Sequence, residues 1–427
     1  MTTRFTLGNG LRVVVGHDPT TAMAAVNILY NVGARDEDPS STGLAHLFEH
    51  LMFGGSRNIP SFDAAIERAG GVNNAWTSND FTCFHDIAPA VNLETLLWLE
   101  SDRMLELAFS EKSLEVQRNV VIEEFKQVCL NKPYGDLSHR LRSMLYSVHP
   151  YRYPTIGRAI EDIEGVTMER VREFFFSHYA PNNAVLAVAG SVEPERVREL
   201  VEKWFSDIPR REIAPRRYPA EPPRTEASYS EMEGRVPQTA LFAAYRMCGQ
   251  ADPDFPAFDL LTDVLANGNA SRMYRRLVMP GDLFSTADAS VAGSEEPGYL
   301  LLSGRLLQSG ADAEKRAFDA LERQIAAIAA DGVGERELQR AFNRFVSTDT
   351  FSNIDLATRA STLALDEMHG ETRADVMARY GAVTPDDIRR VAAALRFPAR
   401  IAYRPLRSVP SKPSRNLSSL EFRKYSC

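Results

Sequence analysis

Short apolar runs bounded by polar turns open the chain, longer stretches with helical spacing fill its middle, and the same order then repeats. "TTRFTLGNGLRVVVG" at the start reads as strand, turn and strand, with Asn9-Gly10 as the turn. "AVLAVAG", residues 184–190, is an apolar run of strand length. Between such runs, apolar residues recur at helical spacing over 42–54, 61–69, 92–108, 111–131 and 167–178. They do so again over 255–266, 311–330, 334–345, 355–368 and 384–395. Strands first and last with helices between imply an α+β layer: in each half, a mixed, mostly antiparallel sheet with helices packed on one face.

The halves echo each other. "AVNILYNVGARDEDPSSTGLAHLFEHLMFGG" and "ALFAAYRMCGQADPDFPAFDLLTDVLANG" both run strand, polar loop, helix, glycine. "GVTMERVREFFFSHYAPNNAVLAVAG" is matched by "AVTPDDIRRVAAALRFPARIAYRPL", each with a Thr before an acidic first turn that caps a helix. A repeat of roughly 200 residues indicates a duplicated domain rather than a solenoid. The proline density of 208–228 excludes helix and central strand and reads as a linker over the surface. The expected division is therefore an N-terminal domain 1–207, linker 208–228, C-terminal domain 229–407 and a serine-rich, basic tail 408–427.

Composition changes this picture little. The 427 residues are 44% hydrophobic and 25% charged, as in soluble globular proteins. Lys+Arg 49 against Asp+Glu 57 gives a net charge of −8, which argues against nucleic acid as the main partner. The longest apolar runs fall short of a membrane span. Four scattered cysteines without a CxxC pair fit a reducing compartment. As written the chain reads as cytoplasmic; a periplasmic or other exported form numbered from its mature start would look the same.

Candidate chemistry lies in "GLAHLFEHLMFGG". His46 and His50 stand one helical turn apart and present two imidazoles on one face, a pairing suited to zinc. Glu49 lies about 100° around the helix from His50, placed to face water beside a metal without being a ligand. A tetrahedral catalytic zinc needs a third protein ligand and an open position. In "EKSLEVQRNVVIEEFKQVCL", helical phase sets Glu124 near the centre of the apolar stripe, among Gln117, Val120, Val121 and Val128, and Glu123 toward its edge. A carboxylate in a buried stripe calls for a cation, so Glu124 is the expected third ligand. The second half holds Leu260, Asp263 and Val264 where the first holds His46, Glu49 and His50. One half bears the chemistry alone.

His46-Leu47-Phe48-Glu49-His50 followed by Glu124 resembles the inverted zinc motif of the pitrilysin-like (M16) metallopeptidases. "LGNGLRVVV", "GARDEDPSSTGLAHLFEHLMF", "GGVNNAWTSND", "HPYRYPTIGRAI" and "YAPNNAVLAVAGSV" are similar to family segments in family order, and the chain length matches the processing-peptidase-like branch. The resemblance implies two homologous α+β domains of the LuxS/MPP-like metallohydrolase type and one Zn2+ per chain. It assigns His46, His50 and Glu124 as ligands and Glu49 as the base. Asn74, Ala75 and Trp76 would lie on an edge strand that pairs with the backbone of a peptide substrate.

This sequence departs from the family pattern in two places. Gln117 stands where a second glutamate is common; its amide can orient a ligand but adds no charge. The Arg and Tyr that the second domain usually contributes are replaced by Val278 and Phe284. The resemblance therefore implies the metal-bearing subunit of a heterodimer whose homologous partner supplies the Arg/Tyr pair, with a homodimer as the alternative. Two non-catalytic readings compete with a zinc endopeptidase: a structural subunit of a larger complex, and a module that holds extended peptides.

Overall fold

The structure, a computed structural model, describes residues 2–406; the expected tail from 408 lies outside them. The first sheet contains β1 (Thr2–Thr6), β2 (Arg12–His17), β3 (Met23–Tyr30), β4 (Val72–Thr77), β5 (Thr82–Pro89) and β6 (Ala184–Gly190), in the order β1-β2-β6-β3-β5-β4. The second contains β7 (Ser228–Gly234), β8 (Ala240–Arg246), β9 (Phe284–Ala292), β10 (Tyr299–Leu306) and β11 (Ala399–Pro405), in the order β7-β11-β8-β10-β9. In each, the last strand inserts between the first strands, parallel to one and antiparallel to the other: β6 between β2 and β3, β11 between β7 and β8. Every other pairing is antiparallel. The Asn9-Gly10 turn closes as expected, with Gly10 at φ 94 and its amide bonded to the Leu7 carbonyl at 2.9 Å. A side chain at Gly10 would meet both this backbone strain and Asn182, whose Cβ lies 2.7 Å from where a Cβ would sit.

The expected helices form, and the one placed at 334–345 continues to Ser352. Pro194–Phe205, Leu137–Leu145 and Arg373–Gly381 are further helices that the spacing did not single out. The first half's own helices cover one face of its sheet: Val13, Val15, Val26 and Ile28 pack with Leu47, Phe48 and Leu97.

The opposite face is covered from the other half. Leu356–His369 lies across β2, β3, β5 and β6, and Val14, Leu29, Cys83, Val185 and Ala187 pack against Ala364. Three features hold it there: Ala360 and Ala364 are fully buried, Asn27 Nδ2 donates to Ser361 Oγ at 2.8 Å, and Gly16 approaches Leu363 so closely that a Cβ would lie 2.7 Å from its Cδ1. The exchange is reciprocal. Leu137–Leu145 of the first half sets Leu141 and Leu145 against Phe242, Ile401 and Tyr403 of the second sheet. A fully buried Val or Leu contributes about 1.5–3 kcal/mol, so either sheet stripped of its visiting helix would expose several such residues. The two halves are thus interleaved.

Between Phe205 and Ser228 the chain has neither helix nor strand, as its prolines require. It is nonetheless fastened along its length. Arg216 pairs with Asp36 at 2.6 Å; Glu221 accepts from the amides of Ser147, Val148 and His149 at 2.7–2.9 Å.

Candidate metal centre

The histidine helix runs Leu44–Leu51. Leu44, Ala45, Leu47, Phe48 and Leu51 are buried, so its phase turns His46, Glu49 and His50 the other way. Gly43, at φ 90, lets the chain turn into the helix, and the first-turn amides are satisfied from a distance: Glu37 accepts from Gly43 N at 2.7 Å and from Ala45 N at 2.8 Å. Burial drives the Glu37 carboxyl up to about 8, against those two amides, which favour its charged form. Sequence reasoning missed this cap because it lies six residues before the N-cap Gly43 rather than at it.

The glutamate helix, Glu111–Phe125, is capped by Ser110, whose side chain accepts from Ser113 N. It packs beside the histidine helix, and its Leu114, Val121, Ile122 and Phe125 are buried in the same core. The expectation for Glu124 needs correcting in its reasoning. Val120 and Val128 are 44% and 43% exposed, so the buried stripe centres on Val121 and Phe125, with Glu124 half-buried at its margin. The carboxylate is therefore reachable from the surface. Immediately after Phe125 the helix widens into a π turn over Lys126–Asn131, a feature frequent at functional sites and invisible in the residue pattern.

The two helices bring His46, His50 and Glu124 together. Glu124 Oε2 lies 3.6 Å from His46 Nε2 and 3.4 Å from His50 Nε2. One ligand atom from each of the three residues falls within 4.8 Å of the others. The imidazole rings stand edge to face, centroids 5.0 Å apart. The two Glu124–imidazole separations exceed the 2.7–3.2 Å of a hydrogen bond. They match the roughly 3.3–3.4 Å edge of a tetrahedron whose ligands sit about 2.0–2.1 Å from a zinc ion. The donor set of two imidazoles and one carboxylate also fits that ion.

Electrostatics favour the same use. Burial, partly offset by Glu124, lowers the His46 imidazole to about 4, so the ring stays neutral with a lone pair free at ordinary pH. His50 and His46 hold the Glu124 carboxyl below the usual range, keeping it ionised. Glu49, on the same face but outside this group, is raised by burial and accepts a hydrogen bond from Thr77 Oγ1 at 2.5 Å.

Thr77 ends β4, which pairs with β5 on one side only and forms the edge of the first sheet. Asn74, Ala75 and Trp76 occupy that edge. The Ala75 amide is held by the Asn74 side-chain oxygen at 2.9 Å, and Trp76 packs on the cluster around Phe81 and Cys83 that carries the exchanged helix. The Thr77–Glu49 bond ties this strand to the centre; the signal was the threonine closing "NNAWT", which sequence reasoning left unused. Gln117 is half-buried two turns before Glu124, with no hydrogen bond to the three residues among those described. Val278 is half-buried and Phe284 buried; neither carries a donor.

Residues 12–158 match the family described as "Insulinase (Peptidase family M16)", and residues 165–345 match "Peptidase M16 inactive domain". A relative named zinc protease PqqE, from Helicobacter pylori, is 32% identical over 306 residues, 70% of this chain and 69% of its own. The chain belongs to peptidase family M16. Among other M16 relatives, one named uncharacterized zinc protease SCO5738, from Streptomyces coelicolor, is 27% identical across 91% of this chain and 86% of its own. The crystal structure of a protease from Helicobacter pylori superposes with a TM-score of 0.87 at 26% identity, covering 95% of this M16 chain and 99% of that one. The two-domain α+β fold expected from the pattern is the fold of these neighbours. Among the described residues no helix is long and apolar enough to cross a membrane.

Proposed function

We propose that this M16 chain is a zinc endopeptidase subunit that hydrolyses extended peptides. One observation carries the reading: two imidazoles and a carboxylate converge, with Glu124 3.4–3.6 Å from both ring nitrogens and a second carboxylate, Glu49, held nearby by Thr77. His46, His50 and Glu124 would hold one Zn2+. Bound there, zinc supplies Lewis acidity, polarising a peptide carbonyl and acidifying water.

The chain's own residues do the rest. Glu49, its proton affinity raised by burial, takes the proton of the attacking water and returns it to the leaving amine. Thr77 holds Glu49 in place and joins it to the edge strand. There the main chain of Asn74–Trp76 pairs with an extended substrate, whose carbonyl accepts from the Ala75 amide in place of the Asn74 side-chain oxygen. Gln117 keeps the role the family resemblance implies, an amide able to orient a ligand without adding charge. Glu49→Gln should retain stoichiometric zinc and lose about 10²–10⁴-fold in peptide cleavage. Cleavage by that variant at the parental rate, measured by mass spectrometry, would remove Glu49 from the chemistry.

The reading includes a divided site. The second half offers no donor at Val278 or Phe284, and a second copy of this chain would bring the same two residues. A homologous but different subunit carrying Arg and Tyr there is the partner this favours. Mixing the chain with such a homologue should raise cleavage well above either alone; full activity of this chain by itself would reject the division.

A further inference from the structure

The two halves differ at one corresponding place: the space between the end of the first site helix and the start of the second. In the first half it lies between Leu51 and Ser113. Leu107, Phe109, Met168 and Val171 fill it, leaving a void of ≈ 10 Å³. In the second half it lies between 270–279, just after the helix Phe255–Leu265, and the start of the helix Glu335–Ser352. There it is an open groove of ≈ 1450 Å³. The fold does not require the opening, because its other copy is packed shut.

The groove is lined by Arg272, Arg275, Arg276, Arg336 and Arg340, opposed only by Glu335 and Glu337. Arg272 and Glu337 satisfy each other at 2.7 Å. Among the described residues none of the other four arginines has a carboxylate within 4.0 Å. Arg276 reaches Gln324 Oε1 at 3.4 Å, and the buried Nη2 of Arg340 has no partner. This is a concentrated positive surface on a chain of net charge −8. The helix beginning at Glu335 adds to it, since Gly334 provides no side chain to cap its first amides.

The lining also selects among anions. Guanidinium forks bind carboxylate or phosphate bidentately. No aromatic side chain lines the groove, so nothing offers a base a stacking face, which counts against nucleotides and single strands. Gln339 and Asn343 instead add amide donors and acceptors suited to peptide backbone. We propose that this groove binds an acidic segment of an extended polypeptide, at a site separate from the metal centre. That the ligand is a peptide rests on the peptidase reading; that it is an anion rests on the groove alone.

The test uses fluorescence anisotropy on the full chain in the Glu49→Gln background, so that no peptide is consumed. Two labelled peptides are compared, identical except that one carries a run of glutamates where the other carries glutamines. The acidic peptide should bind about tenfold more tightly, and Arg275→Gln/Arg276→Gln/Arg336→Gln should abolish the difference. All three residues are exposed, and an unchanged melting temperature verifies folding. Equal binding of the two peptides, undiminished preference in the triple variant, or displacement of the acidic peptide by an oligonucleotide at lower concentration would each overturn the proposal. The two readings fail separately. A chain that cuts neutral peptides but ignores the arginine changes loses the groove and keeps the peptidase. A chain that holds the acidic peptide through these arginines yet cuts nothing does the reverse.

Discussion

The histidine and glutamate helices of the first half, and the helices Phe255–Leu265 and Glu335–Ser352 of the second, are two uses of one packing arrangement. Both pairs lie against each other on the covered face of a sheet whose last strand inserts in the same way. In the first pair the outward face carries His46 and His50 toward Glu124, with Glu49 beside them on Thr77. In the second, Leu260 and Val264 are buried in the core, and the acidic position, Asp263, is paired with Arg344 at 3.2 Å. Where the first pair gathers ligand atoms from both helices, the second neutralises the carboxylate at the matching position. The helix pair is a stable frame with either set of side chains, so the cluster of ligand-type residues is an addition to the fold rather than a condition of it.

The comparison can be broken most directly by making the first half resemble the second. His46→Leu/Glu49→Asp/His50→Val should eliminate stoichiometric zinc and all cleavage while leaving the fold intact, because the second half already tolerates those residues on the same frame. Metal analysis together with circular dichroism decides it; an unfolded variant would show that the first half depends on its metal.

A smaller effect tests the interleaving. Ala360→Leu adds bulk where the exchanged helix lies on β3 and should cost about 1–3 kcal/mol in chemical denaturation. A change under ~0.5 kcal/mol would mean that this contact is loose.

An effect of similar size, but confined to a pH window, concerns Glu37, whose carboxyl is raised from about 4.5 to about 8 by burial at the start of the histidine helix. A raised folded-state value means that its contribution is present in full below about pH 4.5 and lost as pH rises through about 8. Glu37→Gln cannot ionise, so between pH 5 and pH 8 it should gain on the parent by about 1–3 kcal/mol. Parallel stability curves for the two would place the titration elsewhere. The second half has no such buried carboxylate before Phe255, where Asp254 is half-exposed and paired with Arg390.

Much of the centre was legible in the residues. His46 and His50 stand on one face because helical spacing alone puts them there, and Glu124 follows from the demand for a third ligand. The reason given for Glu124 was wrong in detail: Val120 and Val128 look like core in a list of apolar positions, but the neighbouring helix covers a different side. Thr77 and Glu37 escaped because they act across 28 residues and six residues of chain, through folded contacts that no local period records. The helix exchange left one unused trace: "MAAVNILY" and "AVLAVAG" are apolar on both faces, as strands covered on both sides must be.

The sequence by itself determined the duplicated layers, the single half that carries the HxxEH helix and the three residues that meet at the candidate metal centre, because these depend on local period, capping and residue chemistry. The tertiary structure alone decided which half covers which sheet, which side of the glutamate helix is buried, what holds Glu49, and that one interhelical space is packed while its counterpart is open and lined with arginine. These outcomes depend on which surfaces meet across more than a hundred residues, and every side chain involved would read the same in either arrangement.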